Sequence, residues 1–215
     1  MSINPVMTLD QKLALNSAVA RLADEFAGLF NTETVERFVH SSFDQVADKA
    51  SVHNFAPLLA ERFARQRLQA LARVDGLQVD SKPVVLFLCV HNAGRSQMAL
   101  GFFHRYAGDQ AIGWSGGSEP GAKISEVAMA SMAERGIDIS AEFPKPWTDE
   151  IVRAADVVIT MGCGEACPIF PGKKYAEWTL PDPHSWDLDH VRPIRDDIEA
   201  RVLGLLDELG VPALR

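Results

Sequence analysis

Cys89, Arg95 and Ser96 stand within eight residues of one another in the stretch LFLCVHNAGRS, Leu86 to Ser96. A thiol, a guanidinium and a hydroxyl at this spacing suit nucleophilic attack on a bound oxyanion. Arginine offers a planar, permanently charged fork that can hold two oxygens at once. A free thiol has a pKa of about 8.5, and a helix N-terminus or a neighbouring cation lowers it to roughly 3.5–7.5. A site that binds an anion would therefore also activate the nucleophile. Ser96 is placed to donate a hydrogen bond to the sulfur. The bare Cys-x5-Arg spacing is weak, and a buried thiol beside a surface arginine would look the same.

The surrounding elements give the spacing its meaning. Val84 to Leu88 is an apolar run of the kind that forms a buried parallel strand, and Gln97 to Tyr106 reads as a helix. A loop leaving a strand and entering a helix aims several backbone N–H groups at one point, with the helix dipole behind them. The N–H groups of Val90, His91, Asn92, Ala93, Gly94, Arg95 and Ser96 would form that cradle, with Gly94 allowing close approach and Asn92 holding the loop in shape.

Two further stretches carry chemistry. Met161 to Gly172, MGCGEACPIFPG, follows a second apolar run and holds Cys163 and Cys167 separated by three residues. A disulfide needs Cα atoms about 4.4–6.8 Å apart, which such a loop can reach. The two read as a relay pair, against the alternative of two incidental thiols. Leu180 to Trp186, LPDPHSW, presents Asp182 between two prolines where a strand gives way to a loop. A lone Asp-Pro is usually a turn, but this placement favours a rigidly presented carboxyl.

The stretch CVHNAGRSQMA resembles the phosphate loop of the low-molecular-weight protein tyrosine phosphatase fold, and more closely that of its thioredoxin-coupled arsenate reductases. The resemblance covers about Pro83 to Leu209 and leaves Met1 to Asp80 outside. It implies that Cys89 attacks arsenate, that Asp182 protonates the leaving oxygen as a general acid, that Cys163 attacks Cys89, and that Cys167 then attacks Cys163. Arsenate is the implied substrate and thioredoxin the implied electron donor, with no tightly bound cofactor. The spacing between the last two cysteines is shorter here than in some members of that family. A low-molecular-weight phosphotyrosine phosphatase would use Cys89, Arg95 and Asp182 without the relay. A mycothiol- or glutathione-coupled reductase would not need Cys167, and a non-catalytic redox sensor would form the disulfide without turnover.

At 215 residues the chain holds one ordinary domain and an appendage. Its 47% hydrophobic and 23% charged residues are those of a globular protein. No apolar run nears the ~20 residues of a membrane span, and the first ten residues lack the features of a signal peptide. The expected location is the cytoplasm. A net charge of −8 argues against nucleic acid as a partner and supplies no broad attraction for oxyanions, so anion affinity must be local. No cysteine and histidine spacing suggests a metal site.

Residues 1–80 read as a three-helix bundle and linker. Thr8 and Gln11 form a capping box for a helix to about Phe30, Asn31 or Thr32 caps the next, and a third runs from about Phe55 to Val74. The bundle is expected to pack on the catalytic domain or on a second subunit, as in a homodimer through these helices. Residues 81–215 alternate strand and helix. The expected fold class is α/β, a four-stranded parallel sheet with helices on both faces. Strands are expected at Val84–Leu88, Ala111–Trp114, Val157–Met161 and Tyr175–Leu180. Helices are expected at Ser125–Arg135, from a Thr148 cap to Ala154, and at Leu188–Leu209. Trp147, Trp178 and Trp186 are expected in the core rather than at the mouth of the site.

Overall fold

The computed structural model describes residues 7–47, 55–77, 81–162, 169–182 and 187–214. The chain divides into two compact units, Met1–Gln78 and Val79–Arg215.

The first unit is three helices. Helix α1 (Leu9–Glu25) opens on the expected capping box: the Gln11 N–H donates to Thr8 Oγ1 at 3.2 Å and the Thr8 N–H to Gln11 Oε1 at 2.9 Å. It stops at Glu25, earlier than the periodicity suggests, because the following turn passes through Gly28 at a φ of +82°. Asn31 is the cap of α2 (Thr32–Ala47), accepting from the Thr34 N–H at 2.8 Å. In α3 (Ala56–Val74) Pro57 sits in the first turn, where a missing N–H costs little. Leu15, Leu22, Val35, Val39, Phe63 and Leu68 are fully buried between the three helices. Buried Glu61 joins α3 to α1 by accepting from Arg21 at 2.6 Å. Its carboxyl is held below the usual range, chiefly by that Arg21 hydrogen bond.

The second unit is a four-stranded, fully parallel sheet. In chain order its elements are β1 (Val84–Cys89), α4 (Arg95–Ala107), β2 (Ile112–Gly117), α5 (Glu126–Ala133), α6 (Asp149–Ala154), β3 (Val157–Met161), β4 (Lys174–Glu177) and α7 (Leu188–Glu208). The strand order is β2-β1-β3-β4. Strand β1 is central and buried at every position, which explains its unbroken apolar run. Val85, Phe87 and Cys89 share one face with Val157, Ile159 and Met161, and that face packs on Met98, Phe102 and Phe103 of α4 and on Ile194, Ile198 and Val202 of α7. Side chains alternate across a strand, so Val84, Leu86 and Leu88 point to the other face, where α6 lies against β1.

Several elements of this unit differ from the sequence reading. Strand β2 continues through the expected stop at Ser115-Gly116-Gly117 and pairs residue for residue with β1, ending with Gly117 opposite Cys89. The glycines are there because other chain segments press on them. A Cβ at Gly117 would lie 2.6 Å from the Val90 carbonyl, and one at Gly116 would lie 3.0 Å from the Trp147 backbone nitrogen. Strand β4 is shorter than expected; beyond Glu177 only the Trp178 N–H continues the ladder, to the Thr160 carbonyl at 2.8 Å. Helix α5 ends at Ala133, before Arg135, in a turn that Gly136 completes at a φ of +70°. Thr148 stands at the start of α6 as expected, but its buried hydroxyl has no hydrogen-bond partner among the described residues and does not cap the helix.

The connection from β1 runs to β2 on one side and that from β3 runs to β4 on the other, so the order reverses between β1 and β3. The carboxyl end of β1 is therefore the crevice where such sheets bind ligands. Cys89 is the last residue of that strand.

Candidate active site

Residues 90–94 turn from β1 into α4. Four carbonyls of the turn are engaged from outside: those of Cys89, Val90, His91 and Ala93 accept from the N–H groups of Ser118, Glu119, Gly121 and Ser125 at 3.3, 2.8, 2.9 and 2.9 Å. A peptide whose carbonyl is drawn outward turns its N–H inward, so these bonds shape a concavity of N–H groups at a helix N-terminus, the arrangement that suits an anion.

Asn92 holds the turn. It is completely buried, with a φ of 47°, a left-handed conformation that asparagine tolerates better than most residues. Its Nδ2 donates to Ser96 Oγ at 2.9 Å, and its Oδ1 accepts from Gln97 Nε2 at 3.1 Å and from the Lys145 N–H at 3.0 Å. The Cys89 sulfur lies 3.0 Å from Ser96 Oγ and accepts from the Asn92 N–H at 3.2 Å. A thiolate there meets two donors. Asn92 donates to the Ser96 oxygen, and a Ser96 proton turned to sulfur serves the thiolate.

Arg95, the first residue of α4, has a side chain only 8% exposed. Its Nη1 donates to the Leu180 carbonyl at 3.3 Å and its Nη2 lies 3.6 Å from Asp182 Oδ1. The short β4 ladder followed by Leu180-Pro181 thus brings the chain back across the strand ends and delivers Asp182 to the guanidinium. Asp182 itself is more than half exposed. Gly162, just past β3, has a φ of +77°, and a Cβ there would sit 3.2 Å from Arg95 Nη1. The chain leading into Cys163 therefore passes directly beside the arginine.

These groups line a cleft of about 350 Å³, with Cys89, His91, Ala93, Gly94, Arg95 and Asp182 on one part of its wall. The other part is Gly121 to Ser125, which the sequence reading did not single out. The only trace of that wall in the sequence is a glycine- and proline-containing link between a strand and a helix. Cys163 and Cys167 lie outside the described residues, as does Trp186. Trp147 and Trp178 are absent from the cleft lining; Trp178 packs on Phe87 with ring centres 5.9 Å apart, a core contact. Among the described residues no three His, Cys, Asp or Glu side chains gather as a metal site, and no helix is long and apolar enough to cross a membrane.

Comparison with known proteins covers both units. Residues 84–212 match the family of low-molecular-weight phosphotyrosine protein phosphatases, and residues 15–72 match a protein-tyrosine-phosphatase-like N-terminal domain. A solved thioredoxin-dependent arsenate reductase of Corynebacterium glutamicum is 40% identical, with a TM-score of 0.83 over 93% of this chain and 98% of its own. An arsenate reductase of Halalkalibacterium halodurans is 35% identical over 134 residues, 57% of this chain and 94% of its own. A solved arsenate reductase in a phosphate-binding state is 32% identical, with a TM-score of 0.51 over 59% of this chain and 98% of its own.

Proposed function

The chain belongs to the low-molecular-weight phosphotyrosine protein phosphatase family, and from that premise we propose that it reduces arsenate to arsenite with electrons from thioredoxin. The observation that carries the reading is the Cys89 sulfur, held by Ser96 and the Asn92 N–H at the floor of an oxyanion cradle, beside an arginine against which the chain leading to Cys163 passes. The match over both units to a thioredoxin-dependent arsenate reductase supports the substrate and the donor.

The proposed chemistry runs in three exchanges. Arsenate, a tetrahedral dianion, rests on the N–H groups of residues 90–96 and on the Arg95 fork. The Cys89 thiolate attacks arsenic, and Asp182 gives its proton to the departing oxygen, which leaves as water. The product is a Cys89–S–As(V) adduct. Cys163, as thiolate, attacks the Cys89 sulfur. The S–As bond breaks with its electron pair going to arsenic, so arsenic(V) becomes arsenic(III) and arsenite departs. Cys167 then attacks the Cys163 sulfur and releases Cys89 as thiolate. The Cys163–Cys167 disulfide takes two electrons from thioredoxin, which returns both thiols for the next cycle.

The test is arsenate-dependent NADPH oxidation with thioredoxin and thioredoxin reductase present. Wild type is expected to turn over, and Cys89→Ser, Cys163→Ser and Cys167→Ser each to lose activity. Turnover of Cys167→Ser in a mycothiol or glutathione system would replace the relay by a mixed-disulfide route. A wild type that ignores arsenate but cleaves an aryl phosphate through Cys89 would make the chain a phosphatase.

A further inference from the structure

Lys145 is a buried lysine, 3% exposed, held between two prolines in the Pro144-Lys145-Pro146 sequence. It belongs to neither a helix nor a strand and does not line the cleft. Its segment nevertheless makes three hydrogen bonds through its backbone, to Asn92 and to Gly117 at the end of β2. The Lys145 N–H donates to Asn92 Oδ1 at 3.0 Å, the Lys145 carbonyl accepts from the Gly117 N–H at 2.9 Å, and the next residue but one, Trp147, donates to the Gly117 carbonyl at 3.3 Å. The segment thus lies beside the end of β2 and touches the residue that shapes the phosphate loop. Its side chain turns back into the protein. Nζ donates to Ser115 Oγ at 3.3 Å and to the Phe143 carbonyl at 3.5 Å, stands 4.8 Å from the centre of the Phe143 ring, and is 3.8 Å from Glu142 Oε2. The same Phe143 carbonyl accepts from Gln97 Nε2, which also bonds Asn92 Oδ1.

A buried ammonium is costly, and a methionine of similar length would fill the space without that cost. The lysine therefore calls for a reason beyond packing. We infer that Lys145 is a positioning residue for the oxyanion cradle: its ammonium clamps residues 143–147 to Ser115, which fixes the N–H that orients Asn92, and it adds a buried positive charge behind the loop. This rests on the cradle reading given above and extends it to a residue that does not touch the substrate. Buried charge is screened far less than surface charge, so the ammonium, offset in part by Glu142 at 3.8 Å, supplies a local positive field in a strongly negative chain.

The test uses the full-length chain with Cys163→Ser and Cys167→Ser, which leaves Cys89 as its single thiol. Alkylation of Cys89 by iodoacetate, an anion, and by neutral iodoacetamide is compared, and inorganic phosphate is titrated as protectant. In Lys145→Met the phosphate concentration giving half protection is expected to rise about tenfold, and the iodoacetate-to-iodoacetamide rate ratio to fall by a similar factor. Lys145→Arg should restore most of the ratio; Lys145→Gln, which keeps hydrogen-bonding groups without charge, should not. A ratio and a half-protection value both within twofold of the parent, in folded Lys145→Met or Lys145→Gln, would overturn the inference. Loss of the fold in both neutral variants would overturn it as well, because the lysine would then be a determinant of the fold and not of the loop. If phosphate fails to protect Cys89 even in the parent, the cradle reading itself falls.

Discussion

At the scale of single residues, Asn92 and Gly162 bear opposite kinds of constraint. Asn92 is kept for what its side chain does: it joins Ser96, Gln97 and Lys145 while its backbone sits at a φ of 47°. Asn92→Gly keeps that backbone easy and removes only the hydrogen bonds, whereas Asn92→Ala also adds left-handed strain of about 1–2 kcal/mol. Both variants are expected to lose arsenate turnover, with kcat/KM down by about 10–100-fold in Asn92→Gly and further in Asn92→Ala. Equal losses in the two would show that backbone strain contributes nothing. Gly162 is kept for what it lacks. In Gly162→Ala the new methyl would meet Arg95 Nη1 at 3.2 Å from a backbone at +77°. The guanidinium must shift, and phosphate protection of Cys89 should weaken while near-UV circular dichroism stays that of the parent.

Among the elements, α7 is tied to the end of α5 by charge as well as by apolar packing. Glu134 accepts from Arg192 at 2.6 Å and from Arg195 at 2.7 Å, and these hydrogen bonds hold its pKa down to about 2. A carboxyl so depressed adds stability above its unfolded value of about 4.5. That stability is lost as pH falls through the interval down to 2. The Tm gap between wild type and Glu134→Gln is therefore expected to be largest above pH 5 and to narrow on acidification; a gap that stays constant from pH 6 to pH 2.5 would refute the pairing. The same elements show what the sequence made legible. The strand from Val84 and the helix read over Gln97 to Tyr106, which begins two residues earlier at Arg95, were readable because their cues are local: an apolar run, a glycine, then helical periodicity. The extent of β2 was not, because Gly116 and Gly117 look like a turn until Trp147 and Val90 are seen pressed against them. The Gly121–Ser125 wall and the buried Lys145 were invisible for the same reason. Their places depend on bonds to Ala93 and Asn92 from residues about 30 and 50 positions away, and nothing in their own types announces it.

For the whole molecule, the two units each close their own core. Phe63 and Leu68 are buried in the first, and the hydrogen bonds to the Cys89 sulfur come from Ser96 and Asn92 of the second. Phe63→Ala removes a fully buried ring and should cost about 3–5 kcal/mol, close to all that a unit of this size possesses. Helical circular dichroism is then expected to fall by the share of α1 to α3, while the rate of Cys89 alkylation by iodoacetate stays at the wild-type value. A parallel fall in both would show that the cradle depends on the helical unit.

The loop carbonyls drawn outward by Ser118, Glu119, Gly121 and Ser125 have a consequence for selectivity. A cradle made of backbone donors fits the shape and charge of its guest and cannot read the central atom. Phosphate and sulfate share that shape with arsenate. Discrimination then falls to the step after binding: arsenic(V) accepts an electron pair from a breaking S–As bond, and phosphorus(V) does not. Such an enzyme tells poison from nutrient by reducibility, and its rate in the cell is set by the ratio of arsenate to phosphate rather than by arsenate alone.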